Sequence, residues 1–87
     1  MAGELAVIII SPNPAKHSII FTTPASFSED VCSIRIYNIV GKRVYEKDVN
    51  ANHGMPVEIP IDMDNGIYFI EIADGHLAVT GKFIVIQ

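Results

Sequence analysis

The side chains of this sequence that could take part in metal chemistry are few and widely spaced. His17, His53 and His76 lie singly among turns and strand ends, and no pair of them has the short spacing typical of a metal-binding motif. The segment DMDNG, Asp62 to Gly66, resembles the start of a calcium-binding EF-hand loop. Its glycine stands at the fifth place and Glu71 at the tenth, whereas such a loop requires glycine at the sixth and glutamate at the twelfth. We therefore interpret the segment as a tight turn in which Asn65 and Gly66 have positive φ, and expect no metal site.

The sequence also lacks the patterns that are typical of enzyme active sites. It has no serine with a matching base, no pair of carboxylates beside a plausible cleft and no glycine-rich phosphate loop. The single cysteine, Cys32, follows Val31 and precedes Ser33 and Ile34, which fits a buried core position better than a reactive thiol. We therefore expect a protein that is not an enzyme and that uses no cofactor.

Length and composition indicate one compact domain. The chain has 87 residues, of which 49% are hydrophobic and 18% charged, and this balance is too apolar for a disordered segment. The formal net charge of −4 provides no positive surface for a phosphate backbone, so nucleic-acid binding is not expected.

The hydrophobic segments are too short to cross a membrane. The longest, residues 5–10, has the length of a strand rather than the ~20 residues of a transmembrane helix. It also lacks the preceding basic residues and the following small-residue cleavage site of a signal peptide. We expect no direct membrane insertion, and any export signal of the signal-peptide type must lie elsewhere.

Turn signals recur about every ten residues, and between them lie short runs of Ile, Val, Phe, Tyr and Thr without a helical period. This pattern predicts an all-β protein, with an immunoglobulin-like antiparallel β-sandwich of about seven short strands as the leading architecture and a flattened barrel as the alternative. The predicted strands are residues 5–10, 17–23, 31–38, 43–49, 55–61, 66–73 and 77–86.

Two prolines around an asparagine separate the first two predicted strands. Pro12 and Pro14 have no N–H group and cannot occupy a central strand, and Pro14 also favours an extended or turn conformation at Asn13. The Asn13 side chain can replace missing backbone hydrogen bonds. This segment is therefore predicted to be a corner.

The next turn signal is centred on Gly41. A three-residue loop, Ile39–Gly41, that ends in a left-handed glycine fits the spacing of the flanking strands. With that loop, Ile36 is predicted to pair with Val44 on the core face.

The same register places aromatic and basic residues opposite each other on the outer face. It pairs Tyr37 with Arg43 and Arg35 with Tyr45, so that two cation–π pairs could stiffen the hairpin. The alternative is that Arg35, Tyr37, Arg43 and Tyr45 form a recognition patch on the surface.

Four segments together resemble the type A C-terminal sorting domain of the type IX secretion system of Bacteroidetes. They are SPNPAKHSIIF, IRIYNIVGKRVYEKDV, DNGIYFIEIADG and the final GKFIVIQ, and the resemblance covers Ser11 to Gln87. The motif residues are Pro12, Asn13 and Pro14, then Gly41, then Gly66, Ile67 and Tyr68, and finally Lys82, Phe83, Ile84, Val85 and Ile86. The chain departs from the family at Gly81, where a basic or polar residue is common, and at residues 5–10, which are more apolar than a typical linker.

The resemblance implies a sorting signal at the end of a larger exported protein. Such a protein would pass through the periplasm, be recognised by the outer-membrane type IX translocon, and reach the cell surface or the medium. A sortase-like cysteine peptidase would cleave at or before Ser11, so that residues 11–87 form the sorting domain. Residues 1–10 would be an added sequence, a linker or an extra edge strand.

Within this interpretation, Lys82 and the strand that follows it, Phe83–Ile86, are the expected recognition element, with Gly66 and Tyr68 as scaffold. If the last strand lies at a sheet edge, its backbone could pair with a receptor strand. Free strand edges would also allow weak self-association.

A binding module remains the alternative to a sorting signal. Fibronectin-like and carbohydrate-binding sandwiches of this size serve as spacers or adhesion modules in secreted hydrolases. The sequence has no Trp and only three Tyr, which is few for the aromatic platform of a sugar-binding face.

Overall fold

The computed structural model describes residues 8–23, 31–50 and 56–87. They contain six β-strands: β1 Ser18–Thr22, β2 Val31–Tyr37, β3 Arg43–Asn50, β4 Pro56–Pro60, β5 Gly66–Ala73 and β6 Ala78–Val85. None of these residues belongs to a helix that is long and apolar enough to cross a membrane. Residues 5–7 of the first predicted strand, and His53, lie outside the described residues.

The strands form two antiparallel sheets that face each other. One has four strands in the order β3-β2-β5-β6, and the other pairs β1 with β4. The predicted all-β sandwich is therefore confirmed.

The core lies between the sheets and follows the two-residue period of the strands. In β2 and β5 alternate residues are buried, and the residues between them face solvent. Each fully buried aliphatic or aromatic side chain contributes about 1.5–3 kcal/mol to folding. Among the described residues, the hydrophobic ones exposed by 2% or less are Ala15, Ile19, Phe21, Cys32, Ile34, Ile36, Ile59, Ile70, Ile72, Val79, Phe83 and Val85.

The first predicted strand is not found in its described part. Residues 8–10 do not form a strand. Ile8 and Ile10 are nevertheless buried, at 9% and 5% exposure, whereas Ile9 between them is 86% exposed. The backbone N–H of Ile8 donates a 3.3 Å hydrogen bond to the carbonyl of Thr80 in β6. These residues therefore pack as an integral part of the sandwich.

Gly81 in β6 makes this packing possible. A Cβ atom at Gly81 would lie 2.9 Å from Cδ1 of Ile10 and 3.2 Å from Cγ1 of Ile8, which is closer than normal van der Waals contact. The glycine thus leaves the space that these two side chains fill. This packing gives a physical reason for a glycine at a position where the resemblance led us to expect a basic or polar residue.

The predicted proline corner is confirmed, and it joins β1 to the preceding chain. The peptide bonds before Pro12 and Pro14 are both cis. Ser11 pairs with Ile20 of β1 through two backbone hydrogen bonds of 3.0 and 2.6 Å. The corner therefore continues the two-stranded sheet for one residue and then turns towards β6.

The segment before β5 differs from the predicted turn. Among the described residues only Gly41 and Gly75 have positive φ, at 85° and 96°, so the prediction of positive φ at Asn65 and Gly66 is wrong. Gly66 instead begins β5, and the preceding corner is held by a 2.7 Å hydrogen bond from the Tyr68 hydroxyl to the carbonyl of Asp64.

Candidate functional site

The last strand, β6, lies at one edge of the four-stranded sheet, but much of that edge is covered by the proline corner. The Ile84 N–H donates to Oδ1 of Asn13 at 3.0 Å, and Nδ2 of Asn13 makes a long contact of 3.5 Å to the carbonyl of Lys82. The Ala15 N–H donates to the carbonyl of Ile84 at 2.6 Å, and the Ile86 N–H donates to the carbonyl of Ala15 at 3.0 Å. A receptor strand could pair with this part of β6 only by displacing Asn13 and Ala15.

The side chains of the predicted recognition element divide between the two faces of the sheet. Phe83 and Val85 are completely buried in the core. Lys82 is exposed, Ile84 is 36% exposed, and Ile86, just beyond the strand, is 50% exposed. Of the five residues of this element, only Lys82, Ile84 and Ile86 can contact a partner while the sandwich remains folded.

The motif Gly66, Ile67 and Tyr68 contacts the last strand both in the core and along the backbone. The ring of Tyr68 stacks on Phe83 with 5.8 Å between the ring centroids and 24° between the planes. Gly66 pairs with Val85, and Ile67 with Ile84, in the register between β5 and β6. The Gly-Ile-Tyr motif therefore lies directly beside the predicted recognition strand.

The loop between β2 and β3 has the predicted form. The Gly41 N–H donates to the carbonyl of Asn38 at 3.0 Å, and the Asn38 N–H donates to the carbonyl of Lys42 at 2.9 Å. The Asn38 side chain also accepts hydrogen bonds from Val40 and Lys42. The left-handed glycine that ends this three-residue loop is confirmed.

The register beyond this loop differs from the prediction by one residue. Tyr37 pairs with Arg43 as predicted, but Ile36 pairs with Tyr45, because Val44 is the extra residue of a bulge in β3. An extra residue reverses which side chains face the core from that point on. The predicted pairing of Ile36 with Val44 is therefore wrong.

The bulge also separates the predicted surface patch. Tyr45 turns to the core side, where it is partly buried, and this burial raises the pKa of its hydroxyl. Arg35 pairs with Glu46 instead of Tyr45, with Nε 3.0 Å from Oε2 of that glutamate and Nη1 3.6 Å from Oε1 of Glu71. Of the four patch residues, Arg35, Tyr37 and Arg43 remain on the outer face, and Arg35 is occupied by two carboxylates.

A different cluster occupies the outer face of the sheet. The strand registers place Arg43, Tyr37, Phe69 and Lys82 side by side across β3, β2, β5 and β6. We call these four residues the cross-strand row. Phe69 is 43% exposed, and an open groove of about 520 Å³ runs along Tyr37, Phe69 and Lys82.

Apolar surface continues from the row along β5 and β6. Ile67 and Ile84 form the next cross-strand pair on the same face and are 37% and 36% exposed. Together with Phe69 they form a contiguous exposed apolar surface, of the kind that commonly marks an interaction site.

Phe69 is not among the predicted site residues, because the pattern of a single hairpin does not show which strands lie beside it. The alternation in β5 could have revealed it, since Phe69 lies between Tyr68 and Ile70, which share the core face. Its position beside both Tyr37 and Lys82 depends on the order of the strands, which the sequence pattern does not specify.

Cys32 is 1% exposed, as expected for a core residue. Burial raises the pKa of its thiol, and the nearby carboxylates of Asp74 and Asp48 act in the same direction. The thiol is therefore held in its protonated, unreactive form.

Comparisons with solved structures show the same fold. A DUF3244 family protein from Bacteroides vulgatus, which has an immunoglobulin-like β-sandwich fold, matches with a TM-score of 0.64 and 24% identity, over 88% of this chain and 82% of that protein. Dimeric latent PorU from Porphyromonas gingivalis matches with a TM-score of 0.60 and 23% identity, over 92% of this chain and 9% of PorU. Among curated proteins, none has significant sequence similarity to this chain.

The family comparison covers almost all of the chain. Residues 10–87 match the family model of the secretion system C-terminal sorting domain. The matched range includes the proline corner, the Gly41 hairpin, the Gly-Ile-Tyr motif and the final strand. The chain therefore belongs to the C-terminal sorting domains of the type IX secretion system, the signals by which proteins engage that machinery for export to the cell surface or the extracellular space.

Proposed function

We propose that this chain is a sorting signal without catalytic activity of its own, carried at the C-terminal end of a larger protein that passes through the periplasm. The outer-membrane translocon binds the folded domain, and a sortase-like peptidase then separates it from the passenger, which is released or joined to the surface. The observation that carries this proposal is the family match over residues 10–87.

Within this function, we propose that recognition uses the solvent-facing side chains of the final strand, Lys82, Ile84 and Ile86. Their exposure supports this choice, whereas Phe83 and Val85 act from the core by holding the strand in place. Contact through side chains is favoured over backbone pairing because Asn13 and Ala15 already occupy much of the edge of β6.

Self-association through the other edge of the sheet is proposed to be weak. That edge is β3, and antiparallel self-pairing centred on Glu46 or on Lys47 would place like charges directly opposite each other. Sedimentation equilibrium of the purified chain tests this point, and a stable dimer at micromolar concentration would contradict it.

The experiment that tests sorting is the localisation of a reporter that carries a signal peptide at its N-terminus and the whole chain at its C-terminus. It is expressed in a Bacteroidetes host with and without an active type IX translocon. We expect surface or extracellular reporter only with the active translocon. Periplasmic retention in both strains, with the domain folded, would overturn the proposal and favour an adhesion or spacer module.

A test of the proposed recognition side chains needs substitutions that leave the core intact. Deletion of residues 83–87 would remove Phe83 and Val85 from the core, so loss of export would not distinguish recognition from folding. We propose Ile84→Asp and Ile86→Asp, with Val40→Asp as the matched control because Val40 is 81% exposed in the hairpin loop. Export should fall for the first two variants and not for the control; equal export of all three would refute the assignment.

A further inference from the structure

The cross-strand row has a chemical pattern that points to the kind of partner it fits. Its order is cation, aromatic, aromatic, cation: Arg43, Tyr37, Phe69 and Lys82. Resting on the proposed recognition by the secretion machinery, we infer that this row binds a segment of a partner protein that has an apolar centre and a carboxylate at each side.

The charges in and directly beside the row support an acidic partner. The chain as a whole has a formal net charge of −4. In contrast, the row itself carries two positive charges, on Arg43 and Lys82. The neighbouring row on the same face consists of Glu46, Arg35, Glu71 and Thr80. The two rows together therefore have one positive charge in excess. Complementary charges guide the encounter of two surfaces and exclude partners of the wrong sign.

The two cations at the ends of the row are both available to a carboxylate of a partner. Arg43 makes a 3.4 Å ion pair with Glu46, which also binds Arg35, and both side chains of the Arg43 pair are about half exposed, at 52% and 42%. Exposed pairs of this type contribute little, so a partner carboxylate can replace Glu46. Within the described part of the chain, Lys82 forms no ion pair with an acidic side chain.

The centre of the row supplies the apolar contact. Phe69 is 43% exposed and Tyr37 is partly buried beside it, along the open groove. Aromatic residues and arginine are enriched among the side chains that dominate protein interfaces. The exposed pair Ile67 and Ile84 extends the apolar contact towards the end of the final strand.

The spacing of the strands sets the spacing of the carboxylates. Arg43 and Lys82 are three strands apart, which at about 4.8 Å per strand separates their backbones by about 14 Å. An extended chain advances about 3.3 Å per residue, so acidic residues about four positions apart would span the row. The partner segment is thus expected to carry Asp or Glu on both sides of about three residues that include apolar ones.

The test uses the reporter with the full chain and measures the exported fraction. Lys82→Glu should lower the exported fraction about tenfold, a factor equivalent to about 1.4 kcal/mol. Lys82→Arg should retain export because the positive charge remains. Lys47→Glu is the matched control, since Lys47 is exposed but lies opposite Ile34, whose side chain faces the core rather than the outer face.

The aromatic centre is tested in the same way. Phe69→Ser should lower export, while Phe69→Leu should retain most of it. The thermal unfolding midpoint of each purified variant must remain close to that of the unchanged chain, because Lys82 and Phe69 are exposed. Arg43→Glu provides a second charge reversal, at the other end of the row.

The possible outcomes separate this inference from the proposed function. Failure of the unchanged reporter to depend on the translocon would refute the proposed function itself. Translocon-dependent export that is insensitive to Lys82→Glu and Phe69→Ser would refute only the partner chemistry. Equal loss with Lys82→Arg and Lys82→Glu would also refute it, as would a dimer of the purified chain that Phe69→Ser abolishes.

Discussion

The burial of Ile8 and Ile10 predicts that the residues just before the proline corner are essential to the stability of the domain. The two side chains are 9% and 5% exposed, and Ile10 lies against Gly81 of the final strand. Replacement of a buried isoleucine by alanine costs about 2–5 kcal/mol, from lost transfer free energy and the cavity left behind. At about 0.05–0.15 kcal/mol per residue, an 87-residue domain has only about 4–13 kcal/mol in total.

The assay is urea unfolding of the purified chain, followed by circular dichroism, for Ile8→Ala, Ile10→Ala and Ile9→Ala. Ile9 is the matched control because it is 86% exposed, and its replacement should change the free energy of unfolding by less than about 0.5 kcal/mol. Ile8→Ala and Ile10→Ala should each lower it by about 2 kcal/mol or more. Equal, small effects at all three positions would refute the packing of this segment into the core.

The outcome bears on where the passenger ends and the sorting domain begins. We propose that the folded domain begins at or before Ile8 rather than at Ser11. Cleavage directly before Ser11 would remove both buried isoleucine side chains, and the remaining domain should be about as unstable as an Ile8→Ala, Ile10→Ala double variant or less stable. Processing that leaves a stable domain should therefore occur before Ile8.

Three further predictions concern local contacts of the same structure. Gly81→Ala should be more destabilising in the unchanged chain than in the Ile10→Val background, by about 0.5–1 kcal/mol. The reason is that the valine lacks the Cδ1 atom that lies 2.9 Å from the added Cβ. Additive effects of the two substitutions in a double-mutant cycle would contradict this contact. Asn13→Ala should cost about 1 kcal/mol and accelerate hydrogen exchange at the Ile84 amide, whereas Asn13→Asp should keep that amide protected because it retains the acceptor oxygen. Cys32 should react with a disulfide reagent such as DTNB only when the chain unfolds, since the thiol is buried with a raised pKa; rapid reaction in native buffer would disprove that environment.

Much of the fold and of the family membership could be predicted from local patterns in the sequence. Strand alternation, the two prolines around Asn13 and the glycine at position 41 each act within a few residues, because they depend on backbone sterics and on the two-residue period of a strand. The corner and the left-handed glycine accordingly match the structure. The motifs that led to the sorting-domain family are of the same local kind.

The proposed recognition surface depends on information that no local pattern contains. The bulge at Val44 moved Tyr45 to the core side and brought Arg35 opposite Glu46, and the strand order placed Phe69 between Tyr37 and Lys82. Bulges and strand order are decided by how the two sheets bury their apolar faces together, so they emerge only when the whole chain packs. For the same reason, the sequence determined that residues 8–10 are apolar, whereas tertiary packing against Gly81 decided that two of them complete the core.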